Sequence, residues 1–523
     1  MNRCTVEQPR DDDAPEAALV PRTLIKNSVA NVITGISTTL LTVVVPPVLA
    51  RTLSATEFGT WTLMLQIAGY TALLNLGMQS AVGRYVSYHL ARGDRRSGGE
   101  FVSTAFATLC AAAALALLGV IAATALLEAL FPAIPSSLLA AARFCLCAVG
   151  GVLALALPVN VFNGVFTGIQ RNELVAVIVG PSRVLLAAAL AAGAILTHAM
   201  TTLAYIYVVV NVGSFWVTWI CFRKLSPVQL TASYISRSAF AEIVRYCSSL
   251  MVWNIAMLLI SGVDTAIVGR VDFERVAVYG ACLAPVTVLA GMQQALFGPL
   301  MQVGAVQCAR GDLEGQRDTL MRATRLGALA LLAPVMTLLL FSGGILGLWL
   351  GATYAQQAAS IFPLLLIGHA MRLVSMPYAT LLLATGEHRR VVAVPLLEGF
   401  TNVVVAVLAG MRFGAPGVAT GVVVGALLSQ LLNYFYNLPR THGPGLRRDK
   451  LLQQSLVVPG ACFLPAVLGI AGMWAGLPLA SSVIVRLLLL VISLALVWLF
   501  ALESAEKEVV VKMLRNTAFA TRA

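Results

Sequence analysis

Charge is what this sequence has least of. Only 11% of its 523 residues are Asp, Glu, Lys or Arg, against about 25% in a soluble domain, and that shortage excludes a soluble globular chain. A phosphate-cradling loop and a nucleophile elbow are both missing, so direct ATP hydrolysis and acyl-transfer chemistry have no residues to carry them. The glycines of GVATGVVVG (417–425) lie inside an apolar run and suit close helix packing. The five histidines lack ligand spacing: His198, His388 and His442 fall in or beside loops. The nine cysteines are scattered, mostly in apolar runs, and Cys145 and Cys147, two apart on a helix, point different ways. Buried thiols are expected, with no disulfide framework, no metal and no cofactor. The net charge of +12 comes without an arginine-rich arm interleaved with aromatics, which excludes nucleic acid as a partner.

What is abundant is apolar sequence. Hydrophobic residues make up 59% of the chain and the mean hydropathy is +0.86. Runs of about 20 apolar residues, enough to cross the roughly 30 Å hydrocarbon layer, recur throughout. They predict an all-α polytopic membrane protein of about fourteen transmembrane helices. The spans fall near 28–50, 59–80, 101–127, 142–166, 174–197, 202–222, 246–269, 276–303, 324–350, 357–384, 391–410, 414–437, 453–475 and 480–502. The expected organisation is a disordered N-terminus (1–26), a helical bundle (27–223), a linker able to form an interfacial helix (224–245), a second bundle (246–438), two added helices (439–502) and a tail (503–523). Residues 1–26 do not read as a cleaved signal peptide. With the N-terminus inside, 27 lysines and arginines fall on the inner side and about six on the outer, so both termini are expected in the cytoplasm. The outer loops are too short to hold an active site.

The chain also echoes itself. The tetrapeptide ARGD follows an apolar hairpin at Ala91–Asp94 and again at Ala309–Asp312, 218 residues apart. Thr167-Gly168 with Arg171 recurs as Thr385-Gly386 with Arg389 at the same offset. Two motifs sharing one offset point to a duplicated bundle, an organisation common in secondary transporters. Helix breaks are expected at Pro46-Pro47, Pro158, Gly180-Pro181, Pro285, Pro334, Pro377 and Pro395.

Ionisable residues inside the spans are the candidates for function, because each costs at least a few kcal/mol in hydrocarbon. Arg183 lies nine residues into the fifth span, and Arg372 is near the middle of the tenth. They would face an anionic headgroup; the competing reading pairs Arg183 with a carboxylate or carbonyl to fix packing. Asp264 and Glu398 are candidates for a counter-ion or ion-coupling site, with static packing equally open. Arg84 ends the second span, where snorkelling competes with substrate binding. Asn75, Asn163 and Gln293, with Asn31, Asn160, Asn254, Gln294 and Asn402, would line a sugar-accepting cavity or bond helix to helix.

The elbow Ala50-Arg51-Thr52-Leu53-Ser54-Ala55-Thr56-Glu57-Phe58-Gly59-Thr60-Trp61, the following Leu74-Asn75-Leu76-Gly77-Met78 and Arg84-Tyr85 resemble the polysaccharide transporter family. Asp264–Gly269 with Val278-Tyr279 is similar to that family's seventh–eighth hairpin. The family includes the Wzx-type flippases of the MOP (multidrug/oligosaccharidyl-lipid/polysaccharide) exporter superfamily. The resemblance implies two pseudo-symmetric six-helix bundles around a central cavity plus two C-terminal helices. It implies alternating access that moves an undecaprenyl-diphosphate-linked oligosaccharide across the bacterial inner membrane for O-antigen, capsule or exopolysaccharide synthesis. Membrane lipids, a coupling ion (Na+ or H+) and a polymerase are the further expected partners. A drug/cation antiporter or a lipid II flippase of the same superfamily is the rival within the fold. A membrane glycan polymerase or ligase is the rival enzyme class, and the short outer loops argue against it.

Overall fold

In lipid a chain can satisfy its backbone only as helices or a closed barrel, and this chain takes the helical solution. The structure, a computed structural model, describes residues 20–387, 391–441, 448–504 and 506–508. The expected N-terminal segment up to residue 19, His388, Arg389, His442 and the tail from 509 lie outside the described residues. The helices run α1 (Val20–Thr52), α2 (Ala55–Gly69), α3 (Met78–Ala91), α4 (Arg95–Ala125), α5 (Ser136–Gly168), α6 (Asn172–Thr197), α7 (Met200–Leu225), α8 (Arg237–Ser261), α9 (Asp264–Val271), α10 (Val276–Phe297), α11 (Leu300–Ala309), α12 (Leu313–Leu350), α13 (Phe362–Val374), α14 (Met376–Thr385), α15 (Ala393–Phe413), α16 (Ala415–Leu432), α17 (Leu464–Trp474) and α18 (Val483–Leu496). No strand occurs among the described residues.

Among the described residues, twelve helical stretches are long and apolar enough to cross a membrane. Of the fourteen expected spans, the second is broken and the thirteenth is helical but divided by a π turn (Gln453–Val457) and a turn at Phe463, leaving α17 as its longest piece, so the count of fourteen is not reached by that measure. Large apolar side chains face outward as well as inward; Leu196, Leu348, Phe400 and Phe500 are mostly exposed, as lipid contact requires. Two local expectations are corrected. α1 begins at Val20, inside the segment expected to be disordered. The linker 224–245 is not one helix: between α7 and α8, which starts at Arg237, the chain forms a strap in which Thr231 and Ser236 donate their backbone N–H to Ser103 Oγ (3.1 Å) and Thr104 Oγ1 (3.0 Å) of α4.

The described residues pack as two compact units. The first draws on Met1–Gly291, Gly347–Leu365 and Val391–Ser429, the second on Met292–Leu346, Leu366–Arg390 and Gln430–Ala523. These limits follow packing and do not coincide with the expected bundle boundaries. In the first unit α5 is central, touching α2, α3, α4 and α7, while α1 lies along α6 and α8 along α15. The α3–α5 crossing is close because both helices present glycine. A Cβ on Gly164 would meet Gln79 O at 2.8 Å, and one on Gly168 would meet Gly83 O at 2.8 Å. Ser87 Oγ donates to Gly168 O (2.6 Å) at the same seam. Around it pack Val82, Val86, Phe101, Phe162 and Phe166, with Tyr85 stacked on Phe101.

In the second unit α11 lies on α14 and α17 on α18. α13 gives way to α14 at Ser375, just ahead of Pro377, as expected. Gln430 holds this joint, accepting from Ser375 Oγ (2.8 Å) and donating to Met371 O (2.6 Å).

The ARGD echo is a structural one. Gly93 and Gly311 both take left-handed φ (73° and 68°), and Asp94 N and Asp312 N bond back to His89 O (3.0 Å) and Gln307 O (2.9 Å). Each copy is therefore a Schellman end, a conformation glycine adopts without strain. Each aspartate then caps the next helix, accepting from Ser97 N (3.0 Å) or Gly315 N (2.8 Å). Bonding from the Ser97 side chain and backbone lowers the Asp94 carboxyl from its ordinary value. The second echo differs: the left-handed residue is Gln170 in the first copy and Gly386 in the second.

Candidate functional site

The second span opens without a proline. α2 ends at Gly69, the chain tightens into a 3₁₀ turn (Tyr70–Asn75), and Leu76 and Gly77 then take positive φ (51° and 73°) before α3 starts. The seventh span breaks likewise at Gly262-Val263, between α8 and α9. The two breaks face one another in the first unit across a cavity of about 460 Å³. Gln66, Tyr70, Asn75 and Asn254 bring the polar groups; Leu65 and Leu73 are among the apolar ones, and among the described residues no charged side chain lines the cavity. Gln66 Nε2 donates to Gly262 O at 2.7 Å, tying one break to the other. Tyr70 Oη and Asn75 Oδ1 are buried without a hydrogen-bond partner. The Tyr70 hydroxyl lies beside Gln66 and within electrostatic reach of Asp264. Gln66 and Tyr70 were not foreseen, though their i, i+4 spacing in an apolar run places two polar groups on one helix face.

Asp264 opens α9 and is 2% exposed; Glu398 (3%) and Asn402 (0%) are one turn apart on α15. The Asn402 Nδ2 amide donates to Leu259 O (3.1 Å), Ile260 O (3.0 Å) and Asp264 Oδ1 (3.0 Å). Its Oδ1 is buried without a partner. α16 supplies the floor: a Cβ on Gly421 would lie 2.9 Å from that Oδ1, and one on Gly425 would lie 3.1 Å from Glu398 O. The Asp264 carboxylate bonded to Asn402, the unpartnered Asn402 Oδ1 and the buried Glu398 one turn away on α15 bring oxygen donors to this end of α9. No group of three or more His, Cys, Asp or Glu able to hold a metal occurs among the described residues.

The candidate cations sit elsewhere. Arg183, half-buried on α6, reaches the Tyr207 hydroxyl on α7. Arg84 is exposed on α3 with its guanidinium 5.3 Å from the Tyr246 ring centroid. Asn163, on α5, is half-buried and outside the cavity lining. Arg372 and Gln293 belong to the second unit. Arg372 Nη1 donates to His369 Nδ1 (3.1 Å). Gln293, fully buried, donates to Gly327 O (3.1 Å) and joins α10 to α12. Of the eight candidates, Asn75 lines the cavity, and Asp264 and Glu398 form the buried cluster beside it.

The signature of the polysaccharide biosynthesis protein family matches residues 24–303, just over half of the 523-residue chain. The chain belongs to this family. A relative, the uncharacterised membrane protein EpsK of Bacillus subtilis (strain 168), is 25% identical over 401 residues, 73% of this chain and 76% of EpsK. Among solved structures, the lipid II flippase MurJ in an inward closed conformation aligns with a TM-score of 0.67 at 12% identity, covering 91% of this chain and 98% of MurJ. An inward-facing multidrug resistance MATE transporter of the MOP superfamily aligns at 0.61 and 16% identity, covering 82% and 96%. At such identities the likeness shows the fold, and the fold is that of MOP transporters. This member of the polysaccharide biosynthesis family is thus a multi-pass, all-α membrane protein with the fold those structures share.

Proposed function

We propose that the chain flips an undecaprenyl-diphosphate-linked oligosaccharide across the bacterial inner membrane, by alternating access, for O-antigen, capsule or exopolysaccharide assembly. The cavity carries this reading. Its volume lies within the roughly 300–1,000 Å³ of ligand pockets, and its polar groups are neutral amides and a phenol. Such groups match sugar hydroxyls, which donate and accept alike. A cationic drug would call for a carboxylate in the wall, and none lines it. The likeness to MurJ favours a second reading, a lipid II-type cargo, which shares this chemistry. The likeness to MurJ and to the MATE transporter supports transport as the reading of this cavity.

Arg183 and Arg84 of the first unit and, separately, Arg372 of the second are each proposed as a contact for the diphosphate outside the sugar cavity, while the lipid tail stays in the bilayer. The moving bodies are the bundles 27–223 and 246–438, with the helices of 439–502 appended and both termini in the cytoplasm. A polymerase would receive the product. Asp264, Glu398 and Asn402 Oδ1 are proposed to take the coupling ion. A proton needs one carboxylate; an additional open amide oxygen suits Na+, bound as broken helices bind it in other transporters.

The test uses a strain that lacks the gene but still assembles the lipid-linked repeat unit. Wild type should relieve its accumulation on the cytoplasmic leaflet. Asn75→Leu should slow that relief about 10- to 100-fold, the effect of leaving sugar hydroxyls without about 1–3 kcal/mol of hydrogen bonding. Arg183→Ala, equally well expressed, should fail to relieve it. No accumulation in the deletion strain would sink the flippase reading.

A further inference from the structure

We infer that Gln66 is the positioning residue through which a cation at Asp264 sets the shape of the cavity; this rests on the cation site proposed above. The α8–α9 joint is held from two sides. From α15, Asn402 grips the carbonyls of Leu259 and Ile260 together with the Asp264 carboxylate. From α2, Gln66 grips the carbonyl of Gly262, two residues before Asp264. Carbonyls at a helix end have no partner of their own in the helix, so these side chains decide where the joint points. A cation taken between Asp264 and Asn402 Oδ1 draws both oxygens toward itself and re-aims the Asn402–Asp264 bond. The Val263–Asp264 peptide turns with it, and the Gly262 carbonyl follows. Gln66 then either stays tied to the joint or releases Gly262 O and frees its amide, already beside the Tyr70 hydroxyl, for the cavity.

Ion-loaded and ion-free protein therefore offer cargo different hydrogen-bonding walls, and by linkage cargo changes ion affinity by the same factor. A Gln66 that merely packed α2 against α8 would give no such response.

Hydrogen–deuterium exchange on the full-length protein in lipid nanodiscs tests this, comparing NaCl with choline chloride at equal ionic strength. In wild type, Na+ is expected to slow exchange across 256–266 and to change it at 66–77 by at least ~5-fold, the low end of typical coupling. Asp264→Asn should abolish both effects. Gln66→Leu should keep the first and lose the second. Gln66→His, which retains a ring N–H donor, should restore part of it. Gln66→Met, of similar length, replaces the leucine variant if that one does not fold. An equal Na+ effect at 66–77 in wild type and Gln66→Leu would overturn the coupling and leave the cation site standing. No Na+ effect at 256–266 in wild type would remove the cation site and the coupling with it.

Discussion

Asn402 uses its two amide hydrogens on three acceptors and leaves its Oδ1 without one. An unmet buried acceptor in hydrocarbon costs about 1–3 kcal/mol, and an incoming ion would recover that cost. The glycines behind it leave no side chain against this oxygen. In Gly421→Ala the new methyl would stand 2.7 Å from Asn402 O, 2.9 Å from Ala406 N and 2.9 Å from Asn402 Oδ1. Two of these are backbone atoms and cannot move alone, so α16 must retreat. The variant is expected to lose about 1–3 kcal/mol of stability and to lose Na+-induced thermal stabilisation, measured by fluorescence-detected melting in NaCl against choline chloride. Retention of the full Na+ shift would place the ion elsewhere. At this scale the sequence was partly readable. Asp264 and Glu398 stand out because charge is rare in the spans. Gln66 and Tyr70 do not, since uncharged polar residues are common in membrane helices and only the opposed breaks give these two a cavity to face.

The apolar runs locate the helices because each must bury its backbone along some 30 Å of lipid. They do not locate the openings. The sequence marks prolines as breaks, yet the cavity forms at Gly77, which takes a positive φ (73°), and at Gly262, whose carbonyl the facing α2 holds through Gln66. Pro47 shows how such a break is managed. Lacking an N–H, it leaves the carbonyl of Val43, one turn back, without its helical donor. The Trp349 indole Nε1 donates to that carbonyl at 2.9 Å, and Arg51 Nη2 donates to Leu348 O at 2.7 Å. Together they fix the end of α1 to the end of α12. Trp349→Phe keeps the packing and drops the donor, and is expected to cost about 1–3 kcal/mol. In a Pro47→Ala background the helix supplies its own donor to Val43 O, so the same Trp349→Phe change should cost less than half as much. Equal costs in both backgrounds, read from thermal melting of the four proteins, would show that the indole matters for packing alone.

Across the whole molecule, the two ARGD turns share cap, left-handed glycine and backward hydrogen bonds, so duplication was legible wherever a turn dictates its residues. Long-range tethers were not legible, because nothing local requires them. The attachment of the C-terminal segment is the clearest case. Arg325, 9% exposed near the start of α12, donates to Glu506 and to Ala501 O (3.4 Å), and pairs with Glu503 at 3.0 Å. Beside this cluster Leu329, Cys462, Phe463 and Ala501 form an apolar patch, so one end of α12 binds the last helices through charge and apolar contact together. Glu503 is mostly exposed and contributes little; Glu506 and the carbonyl compensate the buried cation. Glu506→Ala is then expected to destabilise by about 1–3 kcal/mol, because it strips a partner from a charge that has left water. Arg325→Met with Glu506→Ala should recover most of that loss, since an apolar pair of similar volume carries no desolvation cost. The melting temperatures of the single and double variants decide the matter. A double variant worse than either single one would mean that charge itself, rather than the packing of α12 against α17 and α18, holds the last helices in place.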